Sequence, residues 1–330
     1  MTLSALQTKS TKSPWLWISA SAISLVLLGI VLAQIEWAQA ATMARGLSWH
    51  YVGLAVLLLT FEGLVTAMRI WLFAGRRAFF LSQALEANAW YVLLLVVLPA
   101  RLGELAAVVV LERYLGQKRG AAAMSVVTQR LYDVIVLGVF FLIALIGLSD
   151  LLGRQPLAIG AVVIVAMALI AVLRIDLALA LIASPLRKAE RRKKGLARSA
   201  LRLLLQARTW TRHVFTRRDV AAALGLTTLK WACNLGGLVM LFMALNLSLT
   251  LFESLVTAAA FNFLAIIPLQ TVGGLGVGEA GLTLLLATMG LGVSIAASAS
   301  IMVRIVVVLF PLLFWLVIVG GLRLRQAQRG

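Results

Sequence analysis

The sequence has 330 residues, of which 62% are hydrophobic and only 13% are charged, and its mean hydropathy is +1.02. Soluble globular domains are roughly 45–50% apolar and about 25% charged, so this composition excludes an ordinary soluble protein. The formal net charge of +18 is compatible with binding to nucleic acid or to an anionic membrane surface. The hydropathy favours the second, and we expect an integral membrane protein.

Long apolar runs follow one another along the whole chain. Each is close to the length of about 20 residues that a helix needs to cross a bilayer. Backbone groups in lipid need internal hydrogen bonds, and no strand-like alternation is present, so the runs predict α-helices. The first follows Lys9 and Lys12 and precedes Ala38-Gln39-Ala40, which is similar to a signal-peptide cleavage site, but its length favours a retained anchor. The runs cover residues 15–35, 49–74, 121–148, 157–175, 220–246 and 294–322.

Two interrupted apolar stretches predict re-entrant hairpins. The stretch "LPARLGELAAVVVLER" (98–113) contains Pro99 and several charges, and "FNFLAIIPLQTVGGLGVGEAGLTLLLATMG" (261–290) contains Pro268 and a glycine-rich break. The Lys/Arg distribution places both termini in the cytoplasm only if these segments dip in and return. We therefore predict a hairpin facing the cytoplasm at 80–115 and one facing outside at 251–291.

The two halves are also similar in spacing. Glu104 lies 26 residues before Arg130, and Glu279 lies 25 residues before Arg304. This predicts an inverted repeat of the kind common in transporters, although chance similarity between alanine-rich helices is the alternative. The predicted divisions are an N-terminal anchor and loop (1–48), a first repeat (49–148), a connecting helix with a basic segment (149–219), a second repeat (220–322) and a basic tail (323–330).

The basic segment at 187–218 holds twelve Lys or Arg residues against one acid, Glu190. The flanking apolar spans argue against a nucleic-acid site and favour a helix lying on an anionic leaflet. A cytoplasmic loop that obeys the positive-inside rule explains the same charges equally well.

The ionisable residues inside the apolar runs comprise four acids and four bases. An unpaired charge at the centre of a bilayer costs roughly 2.5–3.5 kcal/mol, so these groups must be paired or solvated in a cavity. They either fix the docking of the hairpins as ion pairs or contact a ligand, and the sequence leaves both interpretations open. Arg69 lies near a predicted cytoplasmic helix end and is expected to snorkel. The eight residues are Glu62, Glu104, Asp133, Glu279, Arg101, Arg130, Lys230 and Arg304.

The glycine-rich break before residue 279 is a candidate anion site. Residues 276–281 match G-x-G-x-x-G, but no strand precedes them, so the dinucleotide interpretation fails. Backbone N–H groups beside Gly273 and Gly274, just before a helix start, would attract a phosphate. We predict that Arg304 contacts a head group and that Glu279 gates or carries a proton. Asn262 supplies neutral hydrogen bonds to a ligand or to the interrupted backbone.

Residues for metal or nucleophilic chemistry are scarce. Cys233 is the only cysteine, and His50 and His213 lie far apart with no further ligand nearby. We therefore predict no metal, no cofactor and no catalytic residue.

Four segments together resemble a known family: "LPARLGELAAVVVLER", "SVVTQRLYDVIVL", "IPLQTVGGLGVGEAGL" and "IMVRIVVVLFPLL". They are similar to the membrane domain of the lysylphosphatidylglycerol synthase/flippase family and its stand-alone inner-membrane relatives, over roughly residues 49–322. The resemblance implies an α-helical lipid-translocating fold with two re-entrant hairpins. Together with the apolar runs, this predicts an all-α membrane protein of about six transmembrane helices and two re-entrant hairpins. It places six residues on the family's charged motif positions: Arg101, Glu104, Arg130, Asp133, Glu279 and Arg304.

The function expected from these observations is that of a bacterial inner-membrane flippase. It would move an anionic phospholipid or a polyprenyl-phosphate-linked lipid between leaflets. We expect no aminoacyl transfer, because the sequence lacks the soluble domain that the resemblance associates with it. Two alternatives are a lipid-modifying enzyme with Glu104, Asp133 or Glu279 as general base, and a scaffold that recruits a lipid-synthesis enzyme. The expected partners are membrane lipids, and a homo-oligomer is compatible with the sequence.

Overall fold

The structure is a computed structural model that describes residues 14–75, 80–97, 102–148, 155–173, 200–207, 209, 217–266 and 275–327. Within these ranges the chain is helical and has no strand. Arg101, Gly273, Gly274 and most of the basic segment lie outside the described residues. The backbone of Glu104 is helical, but its side chain also lies outside them.

The helices follow the predicted apolar runs closely. Each of the six runs overlaps one helix, and the remaining helices include the two pairs expected for the hairpins. In chain order they are α1 (Pro14–Ala33), α2 (Trp37–Arg45), α3 (Trp49–Gly75), α4 (Leu81–Val97), α5 (Leu102–Leu115), α6 (Arg119–Ile146), α7 (Gln155–Leu173), α8 (Arg217–Ala244), α9 (Leu251–Ile266), α10 (Val277–Thr288) and α11 (Val293–Ala327).

Four helices of the described part are long and apolar enough to cross a membrane, namely α3, α6, α8 and α11. A fifth span results if α1 and α2, which meet at an angle of 83°, are one broken span. Large apolar side chains point outward, including Ile146 at 69% exposure and Val317 at 73%. Such exposure suits lipid rather than water, so the prediction of an all-α membrane fold is confirmed. The count of six spans stays a prediction.

Both predicted hairpins are pairs of short helices that contact each other. In the first, Ala84 and Ala87 of α4 lie in one core cluster with Leu111 and Leu115 of α5. In the second, Leu264 of α9 packs on Gly281 of α10. A Cβ added to Gly281 would lie 2.9 Å from Leu264 Cδ1. The side from which each hairpin enters the membrane stays a prediction.

The two repeats have the same order of helices: long, short, short, long. The first helices of the repeats, α3 and α8, are antiparallel, since Ser48 N donates to Ala244 O at 3.0 Å and Arg69 Nη1 to Thr227 Oγ1 at 3.3 Å. The last helix of each repeat packs against the second helix of the other, α6 against α9 and α11 against α4. Antiparallel equivalent helices with reciprocal contacts are what an inverted repeat requires.

The close approach of α3 and α8 depends on small residues. A Cβ on Gly237 would lie 2.9 Å from Leu59 Cγ and 3.5 Å from the carbonyl oxygen of Ala55. Glycines let membrane helices approach in this way, because the helices gain van der Waals contact that a side chain would block.

A substitution at this contact is therefore expected to loosen the two repeats. We expect Gly237→Leu to lower the free energy of unfolding in detergent by about 1–3 kcal/mol, since the added side chain overpacks the interface. Gly225→Ala is the control on the same helix, because a Cβ there would meet nothing within 4 Å. Equal thermal midpoints for the two variants would contradict the prediction.

Candidate functional site

A cavity of about 320 Å³ lies between the two repeats. Its walls come from α3, α4, α5 and α6 of the first repeat and from α8, α9 and α11 of the second. Glu62, Asp133 and Lys230 line it and lie at or beside the midpoints of α3, α6 and α8. Helices of this length place their midpoints near the centre of a bilayer, so the cavity is deep in the membrane.

Asp133 is the centre of a buried charge cluster. Its side chain is 1% exposed and accepts from Arg69 through both oxygens, with Arg69 Nη2 to Asp133 Oδ2 at 3.1 Å. Lys230 Nζ lies 3.3 Å from Oδ1, and the Trp231 indole N–H donates to the same oxygen at 2.9 Å. Arg130, three residues earlier on the same helix, is more distant, with Nη1 3.8 Å from Oδ2.

The expectation that Arg69 snorkels is wrong. Its residue surface is only 3% exposed, and it forms a bidentate pair with Asp133 while also donating to Thr227. Asp133 on α6 neutralises the guanidinium, and Thr227 on α8 accepts a hydrogen bond from it. If Arg69 turned outward, the buried carboxylate of Asp133 would lose this partner at a large energetic cost, so the guanidinium stays inside. The cluster thus joins α3, α6 and α8 at one point.

Neutral polar groups complete the wall. Arg130 Nη2 donates to the Tyr91 hydroxyl at 2.9 Å, and Asn262 Nδ2 donates to Asn234 Oδ1 at 3.0 Å and to Ala258 O at 2.9 Å. Asn262 lines the cavity and also bonds the backbone of its own helix, so its position is compatible with both predicted roles. Asn88 donates to Gly63 O at 3.2 Å, while its buried Oδ1 has no hydrogen-bond partner among the described residues.

Several of these residues were not predicted from the sequence. Arg69, Asn88, Tyr91, Trp231 and Asn234 lie in the cavity wall. A signal was present for one of them, because Glu62, Thr66 and Arg69 recur at helical spacing and must share one face of α3. The neutral residues gave no such signal, since isolated Asn and Tyr side chains in apolar helices are equally compatible with local backbone bonding.

The second charge cluster lies at the start of α10. Arg304 Nε is 3.2 Å from Glu279 Oε1, and the Glu279 side chain is 1% exposed. The other carboxylate oxygen accepts from the backbone N–H of Gly276 at 2.6 Å. Gly276 adopts a φ of +82°, a left-handed conformation that suits glycine. A carboxylate of the protein itself therefore caps the helix start that was predicted to attract a phosphate.

The second cluster is supported by a short hydrogen-bond relay from α10 to α11. Thr283 Oγ1 donates to the carbonyl oxygen of Glu279 at 2.7 Å and lies 2.9 Å from Ser300 Oγ. These contacts fix the first turns of α10 against α11, so Glu279 and Arg304 are held face to face. Of the predicted site residues, the structure brings Glu62, Arg130, Asp133, Lys230 and Asn262 to the cavity, with Glu279 and Arg304 paired as a separate cluster.

Metal-binding geometry is absent from the part of the chain that the structure describes: no three His, Cys, Asp or Glu side chains there are grouped to hold an ion. The carboxylates of the two clusters are instead engaged by cations or by hydrogen-bond donors of the protein.

Comparison with known proteins identifies the family of this fold and site. The family model described as the lysylphosphatidylglycerol synthase TM region matches residues 17–314. No curated protein and no solved structure gives a significant match. The matched region contains both charge clusters and all of the cavity wall except Trp315. Because the match covers most of the chain, the protein belongs to the family of the lysylphosphatidylglycerol synthase TM region.

Proposed function

We propose that the protein is a flippase that moves an anionic phospholipid or a polyprenyl-phosphate-linked lipid between the two leaflets. The observation that carries this proposal is the polar cavity at mid-membrane depth between the two repeats, whose described wall holds more cations than anions. Arg69, Arg130 and Lys230 line it against Glu62 and Asp133, which leaves one net positive charge among the described side chains. Charged groups at this depth are destabilising on their own and mark the paths of polar substrates.

The cavity has the size of a head-group site. Its volume of about 320 Å³ is at the lower end of the range of roughly 300–1,000 Å³ for small-molecule pockets. A phosphate with a small polar substituent fits this space, whereas two acyl chains do not. The acyl chains would therefore remain in the bilayer while the head group crosses through the protein.

The wall offers both kinds of contact that a phosphodiester head group needs. Arg130, positioned by the Tyr91 hydroxyl, and Lys230 attract the phosphate. The hydroxyl of Tyr91 and the amide of Asn234, which are half-buried in the same wall, can bond a hydroxyl group of the head group. We further propose that Arg304 contacts the head group at a second position and that Glu279 acts as a gate there, because their pair would have to open for the phosphate to enter.

The proposal is tested by reconstituting the protein in vesicles that contain fluorescent phosphatidylglycerol and measuring its exchange between leaflets. We expect Arg130→Gln to slow the exchange at least about tenfold, since a charge-assisted phosphate contact of the order of 1.5–3 kcal/mol is lost. The control is Arg218→Gln, which removes an exposed arginine at the start of α8. Wild-type vesicles that exchange no faster than empty ones would refute the flippase proposal.

The proposed setting is the bacterial inner membrane, with both termini cytoplasmic and the basic segment at 187–218 on the anionic leaflet.

No contact in the described residues favours the enzyme alternative, and Asp133 is a poor general base because Arg69, Lys230 and Trp231 all engage its carboxylate. Chemical turnover of the labelled lipid in the same vesicles would support the enzyme instead. If function in cells requires only the basic segment, the scaffold alternative is supported. The partner would then be a lipid-synthesis enzyme or a second copy of the chain.

A further inference from the structure

Glu62 is the second carboxylate of the cavity, and its surroundings differ from those of Asp133. The residue lies at the midpoint of α3 and is half-buried. Thr66 donates to its Oε1 at 3.2 Å. Among the described residues it forms no salt bridge, whereas Asp133 is in salt-bridge contact with Arg69, Arg130 and Lys230.

This difference determines which of the two carboxyl groups can exchange a proton. Protonation of Asp133 would break a bidentate pair with Arg69 and the salt bridge with Lys230. Protonation of Glu62 breaks no ion pair with any described residue, and the hydroxyl of Thr66 can bond either form of the acid. Glu62 therefore changes charge at a much lower cost than Asp133 does.

The charged groups around Glu62 come from three helices. Arg69 lies on its own helix, Asp133 and Arg130 on α6, and Lys230 on α8. The other titratable groups of this region are Tyr91 on α4 and Cys233 on α8. The described cavity wall formed by α5, α9 and α11 contributes no ionisable side chain.

We propose that Glu62 is a proton-binding site of the cavity and that the binding of an anionic lipid is linked to the uptake of a proton at this carboxyl. The inference rests on the proposed flippase function and adds to it the ion that would accompany the lipid. With Glu62 ionised, the described cavity wall carries one net positive charge, and with Glu62 protonated it carries two. The protonated form attracts a phosphodiester more strongly, and by reciprocity the bound phosphodiester favours protonation.

Leaflet exchange measured at two pH values tests this linkage. In vesicles with equal pH on both sides, we expect wild-type exchange of fluorescent phosphatidylglycerol to be faster at about pH 5 than at pH 8, by a factor on the order of ten, because one charge is gained at close range. Glu62→Gln imitates the protonated acid and should be fast at both pH values. Glu62→Asp should keep the pH response, and so should the control Glu36→Gln, which changes an exposed acid outside the cavity.

Proton uptake on lipid binding is a second measurement that needs no transport. Short-chain phosphatidylglycerol is added to the purified protein in weakly buffered detergent, and a pH indicator records the protons that are taken up. We expect up to about one proton per bound lipid for wild type and for Glu62→Asp, and none for Glu62→Gln.

The two measurements separate the failure of the inference from that of the proposed function. Exchange that occurs with the same pH response in wild type and Glu62→Gln would overturn the role of Glu62 and leave the flippase in place. Proton uptake that depends on Glu62 without any leaflet exchange would support the linkage and refute translocation. Neither exchange nor uptake would overturn both.

Discussion

Replacing Asp133 with Asn is expected to lower the free energy of unfolding by about 3–5 kcal/mol, which is a large part of the stability of a typical domain. The carboxylate compensates Arg69 and Lys230 in a buried position and accepts from the Trp231 indole as well. The asparagine amide has almost the same shape but carries no charge, so it leaves these cations buried without their anion. Unfolding of the purified protein in mixed detergent, followed by circular dichroism, measures the effect.

An exposed ion pair of the same protein provides the matched control. Glu112 pairs with Arg119 at 2.8 Å, and the two side chains are 36% and 71% exposed. Glu112→Gln also converts a paired carboxylate to an amide, but solvent screens this pair, so we expect a loss of no more than about 1 kcal/mol. If the Asp133→Asn and Glu112→Gln variants unfold at the same denaturant concentration, the Asp133 cluster does not stabilise the junction of α3, α6 and α8.

The second large effect concerns Arg304. We expect Arg304→Ala to reduce the exchange of fluorescent phosphatidylglycerol at least about tenfold and also to destabilise the protein by about 3–5 kcal/mol. The destabilisation arises because Glu279, which is 1% exposed and 3.2 Å from the guanidinium, loses its cation. The exchange assay and detergent unfolding measure the two effects separately. Arg45→Ala is the control, since Arg45 is exposed in the last turn of α2.

A double variant distinguishes a structural pair from a ligand contact. Glu279→Gln with Arg304→Met removes both charges, and the glutamine oxygen can still accept from the backbone N–H of Gly276. Replacing a whole buried pair with neutral groups of similar volume is often nearly neutral for stability. We expect stability to return while exchange stays slow, because the head-group contact is still missing. Recovery of both properties would mean that Arg304 serves the docking of α10 and α11 alone.

Charged residues occur at matching spacing in the two units of the sequence. The parallel spacing of Glu104 to Arg130 and of Glu279 to Arg304 pointed to two equivalent units, and the observed pair of Glu279 and Arg304 joins a hairpin helix to the following long helix. In the first unit, Arg130 contacts Tyr91 and lies near Asp133, and the pairing of Glu104 stays a prediction because its side chain lies outside the described residues. In the second unit, spacing along the chain thus identified two residues that the fold brings together.

The sequence by itself determined the membrane class, the helices and their breaks. These features depend on the length of apolar runs, the need to satisfy backbone hydrogen bonds in lipid and the positions of Pro and Gly, all of which are local along the chain. Only the tertiary structure decided that Arg69 is an interior residue and that, of the two carboxyl groups in the described cavity wall, Glu62 is the one that forms no salt bridge with a described residue. Arg69 and Asp133 are 64 positions apart, and Lys230 is 97 positions from Asp133. Helical periodicity shows which face of a helix a charge occupies, but the partner that stabilises the buried charge comes from helices that only packing brings together.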